Sequence, residues 1–386
     1  MKTFKLLLLS TIVLPAFAVP EIAAAEKPAL LPMAKPKPTE LAASPCSPKN
    51  PCAAKKPCSP ANPCAPKATH SKGCLAPAAG KVAKRAKINL ESARIASTLP
   101  LADLHLHPDI TISPALFRHH MDQNGVQWAG SGVVTWPKNV AGRRDVWERY
   151  SRELGDRFIA HAGQSELNLA YQLDGRAGMA DAGHPNVKAF LKDLEVDLKA
   201  GRVKGVGTYF INNLNTDDRP AFRRRVPGNA SAIKAIYALV AKYGSVLRIH
   251  LQHDPKTMAE FETVLSSDRR GRVVWNQCGS NTAADYSRAL LERHTNLFCE
   301  ISWRFPPVTR PEFADRYMFD RQGPKLDWLK LIEDFPDRFM YGNDGHLGET
   351  YDCGTISFRR NLLPFLHPDT AEKIASGNAK RVFGLK

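Results

Sequence analysis

From about residue 99 onward, short apolar runs rich in β-branched and aromatic residues alternate with longer stretches whose apolar positions recur at helical spacing. The short runs fall at residues 99–106, 126–135, 158–162, 203–211, 246–251, 273–278, 297–302 and 339–342, and each reads as a strand. Amphipathic segments between them, among them 185–199, 230–242, 257–265, 283–294 and 326–335, have room for helices. Regular strand-helix alternation predicts an α/β fold with parallel strands. Eight such units over residues 95–386 suit a (β/α)8 TIM barrel, which takes about 250 residues. An open doubly wound sheet is the alternative, but no Gly-x-Gly-x-x-Gly follows the first strand to hold a dinucleotide.

The pattern differs before that domain. Lys2 and Lys5 precede the apolar run 6–13, Pro15 breaks it, and Ala16-Phe17-Ala18 offers a small-x-small cleavage site, with a second at Ala23-Ala24-Ala25. Residues 1–25 therefore read as a signal peptide, because the run falls short of the ~20 residues that span a bilayer. The expectation is an exported protein, periplasmic or secreted, with no transmembrane span after cleavage. Residues 26–94 form a low-complexity linker rich in Pro, Cys and Lys, with too few large apolar residues to offset the entropy of ordering. In it Pro45-Cys46, Pro51-Cys52, Pro57-Cys58 and Pro63-Cys64 recur every six residues, followed by Cys74. Such a tail could capture a soft metal, form disulfides after export or tether the protein to the cell envelope, and the spacing does not choose among these.

Composition adds one correction to a first impression. The chain of 386 residues carries a formal charge of +16, which suggests a nucleic-acid partner. Most of that charge lies in the tail, where residues 21–90 hold 12 Lys/Arg against Glu21, Glu26 and Glu40, leaving only +5 after residue 90. A folded domain with so little excess and no basic motif excludes nucleic-acid binding as its function. The expected partner is a small-molecule substrate, and the sequence is compatible with a homo-oligomer.

Barrel chemistry gathers where the strands end. The first predicted strand ends in Asp103-Leu104-His105-Leu106-His107, and period-two alternation puts both imidazoles on one face. The fifth ends in Arg248-Ile249-His250-Leu251-Gln252-His253, and the eighth in Tyr341-Gly342-Asn343-Asp344. Alone, His250 reads as a core histidine and Asp344 as a turn residue. Placed together at three strand ends, His105, His107, His250 and Asp344 form a nitrogen/oxygen set suited to one divalent ion, zinc or a relative, with a position left for water. Such an ion acidifies water and polarises a carbonyl, and Asp344 can also take a proton.

These motifs, together with the closing Gly377-Asn378-Ala379-Lys380-Arg381-Val382-Phe383-Gly384-Leu385, resemble the amidohydrolase superfamily, in particular its amidohydrolase-related branch of mostly single-metal hydrolases and decarboxylases. The resemblance implies a barrel over residues 99–386 with His105, His107, His250 and Asp344 as metal ligands. One departure stands out: Trp275-Asn276-Gln277-Cys278-Gly279 has Gln277 where the family commonly has an acid/base histidine. An amide cannot exchange protons near neutral pH, although it can donate a hydrogen bond. The base role then falls to Asp344, or to His253 or His346 if either faces the pocket. No carboxylate or lysine near strand four fits a second metal, since Lys204 lies at its start and Tyr209 near its end.

Other residues carry weaker expectations. Glu300 reads as either a substrate contact or a buried, paired carboxylate. Arg304, with Arg310 and Arg316, lies on a long connection where arginines could hold an acidic substrate. Arg223-Arg224-Arg225 reads as a solvated loop rather than an anion clamp. Cys278 and Cys299 read as buried thiols. Two functions compete: an exported metal-dependent hydrolase of small amides, esters or lactones, with decarboxylation as its variant, and a non-catalytic envelope protein that binds a metal or ligand through a site degenerate at Gln277.

Overall fold

The computed structural model describes residues 86–107, 112–131, 143–214, 223–302, 316–320, 323–345 and 349–386. The segment read as a signal peptide and the Pro-Cys repeat lie outside these residues. Eight strands form one parallel sheet in chain order: β1 (Leu101–Asp103), β2 (Val126–Ser131), β3 (Phe158–Gly163), β4 (Gly205–Phe210), β5 (Val246–His250), β6 (Arg272–Trp275), β7 (Leu297–Glu300) and β8 (Phe339–Met340). Past the paired residues, Leu104 N donates to Tyr341 O at 3.2 Å, so the ends of β1 and β8 meet and the sheet becomes a barrel. The fold is the TIM barrel that the alternation predicts.

Each predicted strand is present, and several stop earlier than the apolar run. Residues 104–107 continue from β1 without ladder pairing, and Asn276–Gly279 forms a tight turn where the sixth run was expected to continue as strand. The five helices predicted by periodicity appear as Pro185–Lys199, Ser231–Tyr243, Pro255–Ser267, Ala284–Arg293 and Leu326–Asp334. A short helix, α1 (Leu90–Ile95), occupies the end of the segment read as linker. Asn89 caps it, and Ser92 Oγ donates to Leu366 O at 2.7 Å. Among the described residues no helix is long and apolar enough to cross a membrane.

Two layers of apolar packing follow from strand alternation. One set of side chains, including Ala102, Leu104, Trp128, Ile159, Val274, Phe298 and Met340, fills the barrel interior. The opposite set packs against the surrounding helices. The closing motif seals the amino-terminal end of the barrel: Val382 and Phe383 join the interior cluster, and Arg272, which opens β6, donates to Val382 O at 2.5 Å. With that end plugged, the open end for a small molecule is the one where the strands finish.

Asn378 fastens the plug. Its Nδ2 donates to Pro336 O at 2.7 Å and to Phe339 O at 2.8 Å, joining the last helix, Asn378–Phe383, to β8. Removing the amide strands buried carbonyls, a loss of about 1–3 kcal/mol. Asn378→Ala is expected to lower unfolding stability by about 2 kcal/mol in urea titration, and an unchanged midpoint would show that the plug holds without it.

Candidate metal centre at the barrel seam

The seam between β1 and β8 is tied by a carboxylate. Asp103 is fully buried, and its Oδ1 accepts from the backbone N–H of His105 and of Asn343, both at 2.9 Å. Asp344 N donates in return to His105 O at 2.6 Å. These bonds set the two chain ends face to face, so the side chains of His105, His107 and Asp344 have little choice but to converge. Burial raises the Asp103 carboxyl to about 7, against the pull of the His105 and Asn343 amides.

Asp344 Oδ1 lies 3.2 Å from His105 Nε2 and 2.5 Å from His107 Nε2. One donor atom from each of the three residues falls within 4.8 Å of the others. On its far side, His105 Nδ1 lies 2.8 Å from Glu300 Oε2, and Ser302 Oγ lies 3.0 Å from both that nitrogen and that oxygen. The Glu300 contact fixes the ring and leaves Nε2 facing Asp344, the arrangement in which a carboxylate orients a metal-binding imidazole.

Electrostatics favour the forms that bind a cation. Burial holds the His105 imidazole well below its ordinary range, so it is neutral near pH 7, and Asp344 opposes this only in part. For Asp344 burial acts upward, yet the charges and hydrogen bonds of His105 and His107 bring its carboxyl below the usual value, and it is ionised. His250, at the end of β5, is lowered by burial to about 4. Its ring stacks on Phe210 with centroids 5.0 Å apart, and its Nε2 is buried with no hydrogen-bond partner among the described residues. An orphaned buried nitrogen is costly unless a cation or ligand occupies it.

Gln277 stands at the same mouth. Its Nε2 donates to Asp344 Oδ2 at 2.5 Å, and Ser280 Oγ donates to its Oε1. The described non-glycine residues with positive φ are Gln277 (57°), Cys278 (41°), Ser280 (56°) and Asp344 (59°), all at the ends of β6 and β8. Left-handed backbone costs such residues roughly 1–3 kcal/mol each and gathers at functional sites. The turn also corrects an expectation. Cys278 and Cys299 form a disulfide with Cα atoms 4.8 Å apart rather than two thiols, because the left-handed turn carries Cys278 toward β7, where Cys299 pairs in register with Trp275.

The amidohydrolase family model (the amidohydrolase 2 type) matches residues 102–385. The chain belongs to the amidohydrolase family. No curated protein matches it. Among solved structures it is similar to the 2,6-dihydroxybenzoate decarboxylase of Rhizobium, at 13% identity over 74% of this chain and 99% of that one, with a TM-score of 0.45. It is also similar to the L-hydantoinase of Arthrobacter aurescens, at 12% identity over 74% and 71% of the two chains, with a TM-score of 0.44. The 5-carboxyvanillate decarboxylase of Sphingomonas paucimobilis matches at 13% identity over 70% and 82%, with a TM-score of 0.41.

His105, His107 and Asp344 come together, whereas His250 presents its unpartnered nitrogen at the end of β5, a strand not adjacent to β1 or β8 in the sheet. Those residues fit a divalent ion in donor type, with His105 and His250 neutral and Asp344 ionised. Glu300 is fully buried behind His105, in the geometry of a paired carboxylate. His253 turns to another neighbour: its ring packs edge-on against Tyr286 at 4.5 Å, and burial together with the Arg316 charge lowers its pKa. His346, Arg304 and Arg310 lie outside the described residues. Arg224 is buried at 8% exposure, whereas the triple-arginine segment was expected to be solvated, because the fold brings Phe210 and Tyr171 against it.

Three contributors were not recognised in the sequence. Asp103 ties the seam, Ser302 braces the His105–Glu300 contact, and Arg248 lies fully buried with Nη2 donating to Asn276 Oδ1 at 3.1 Å. Burial lowers the Arg248 guanidinium to about 10, and Glu300, Asp344 and Asp103 oppose that, so it remains a cation among three carboxyl groups. Its place two residues before His250 is the signal that alternation offered. Because Glu300 orients His105, Glu300→Gln is expected to weaken zinc binding about 10–100-fold in a chelator competition; affinity equal to the parent protein would show that His105 is held by other means.

Proposed function

We propose that this chain is an exported, metal-dependent hydrolase of a small amide, ester or lactone, with decarboxylation as the variant that the same centre supports. The observation that carries the reading is the convergence of His105, His107 and Asp344 at the barrel seam, with His105 held neutral by burial and the aspartate ionised. His105, His107, His250 and Asp344 would hold one divalent ion, zinc or a relative. The chemistry supplied by a bound ion is acidification of water and polarisation of a substrate carbonyl.

The chain's own groups have distinct parts. Asp344, ionised and fixed through both oxygens, is the carboxylate that contacts both imidazoles and would serve as the proton acceptor. Gln277 orients Asp344 and stands ready to donate to a substrate oxygen. Glu300 and Ser302 hold the His105 ring. Export is supported by the layout of residues 1–25 and by the Cys278–Cys299 disulfide, a bond that persists in oxidising compartments.

One observation favours a second reading, a non-catalytic metal- or ligand-binding protein of the envelope. An amide at Gln277 cannot carry protons, so the site lacks the exchangeable group that an imidazole would place beside Asp344. Elemental analysis of the full-length protein, paired with a screen of small esters, lactones and amides, separates the two. The hydrolase reading expects about one divalent ion per chain that disappears in Asp344→Ala, along with turnover of at least one substrate. Retained metal without turnover would favour the binding protein, and no metal loss in the variant would remove both. Gln277→His should lower kcat/KM at least about 10-fold with metal retained; a large gain would mark the parent site as decayed.

A further inference from the structure

Among the described residues, Arg224 is a buried cation without a carboxylate partner. It lies on a short antiparallel ribbon, Asn212–Asn213 with Arg224–Arg225, that follows β4 at the end of the barrel where the candidate centre lies. Its guanidinium carbon sits 4.6 Å from the Tyr171 ring centre and 5.0 Å from that of Phe210, and Phe210 in turn stacks on His250. Phe210 and His250 are register partners across β4 and β5, so one aromatic ring separates Arg224 from a candidate metal ligand. Nη1 donates to Asn168 Oδ1 at 2.6 Å, and Nε is buried with no partner. Asp254 pairs with Arg225 of the same ribbon at 2.6 Å. Among the described residues no carboxylate pairs with Arg224.

A guanidinium has five N–H donors in a planar fork shaped for a carboxylate, and burying that charge unpaired is expensive. The two rings and one amide oxygen account for its faces and one donor, and Nε is left buried without a partner among the described residues. A residue whose task was to brace the ribbon would need no charge at this depth. We infer that Arg224 is a specificity-determining residue that receives the carboxylate of an acidic substrate whose reacting group lies beyond Phe210, on the side of His250 and the candidate metal centre. The inference rests on the proposed function for the reaction, while the anion pocket itself stands on Arg224, Asn168, Phe210 and Tyr171.

The test is calorimetric titration of metal-free, full-length protein with benzoate, phthalate and glutarate, each beside its neutral amide. Zinc uptake and thermal midpoint are measured on the same samples. At least one carboxylate is expected to bind the parent protein, its amide at least about 10-fold more weakly, and Arg224→Gln to lose about 10-fold or more for the carboxylate only, with zinc uptake unchanged. Arg224→Lys keeps the charge without the fork and is expected to lose several-fold. It decides the matter if the glutamine variant does not fold. Carboxylate binding equal in parent and variants, or no carboxylate bound by the parent, overturns the inference. A lowered thermal midpoint with unchanged selectivity overturns it too, assigning Arg224 a bracing role. Failure of zinc uptake with carboxylate binding intact would instead refute the metal centre and leave the anion pocket.

Discussion

One buried carboxylate closes the barrel where its chemistry converges. Asp103 accepts two backbone amides, from His105 in its own chain end and from Asn343 across the seam. Sheet pairing alone does not register β1 against β8, because each strand is only two or three residues long there. The Asp103 contacts and the Asp344–His105 backbone bond supply that register. Once it is fixed, His105 and Asp344 are adjacent, and the remaining groups are organised around them. Glu300 reaches His105 from behind, and Gln277 reaches Asp344 from the side.

The same seam concentrates charge in a buried part of the molecule. Asp103 and Glu300 are fully buried, Asp344 is largely so, and the buried guanidinium of Arg248 offsets only part of their charge. Desolvation pushes Asp103 and Glu300 toward their neutral forms and His105 and His250 toward theirs. A divalent cation placed among neutral imidazoles and an ionised Asp344 would relieve the imbalance that desolvation creates. Left-handed backbone at Gln277, Cys278, Ser280 and Asp344 surrounds the same point, so local strain and buried charge coincide. Folding energy from the surrounding helices and the C-terminal plug sustains a site that is locally unfavourable.

Much of this was legible in the chain. Alternation of apolar runs located all eight strands, and period-two spacing placed His105 and His107 on one face although neither residue belongs to a paired strand. The ligand candidates were visible because strand ends are where a barrel collects chemistry. What escaped depended on partners far away in sequence. Asp103 sits in plain view two residues before His105, but its role requires Asn343, 240 residues on. Arg224 looked solvated in a polar, proline-flanked run, and only the fold sets Tyr171 and Phe210 around it. The Cys278–Cys299 bond was hidden for a similar reason, since a left-handed turn, not a strand, orients Cys278.

The sequence offers two kinds of donor to a metal, the nitrogen and oxygen set at the barrel seam and the cysteines of the Pro-Cys repeat. They differ in bond length, at about 2.0–2.1 Å for zinc to imidazole and about 2.3 Å for zinc to sulfur. The most direct measurement is the zinc-edge X-ray absorption spectrum of the full-length protein loaded with one equivalent of zinc. A first shell of nitrogen and oxygen with the outer-shell scattering of imidazole rings, lost in His105→Ala, is the expected result. A sulfur-dominated shell, or a spectrum that the variant leaves unchanged, would contradict a metal centre at the barrel seam.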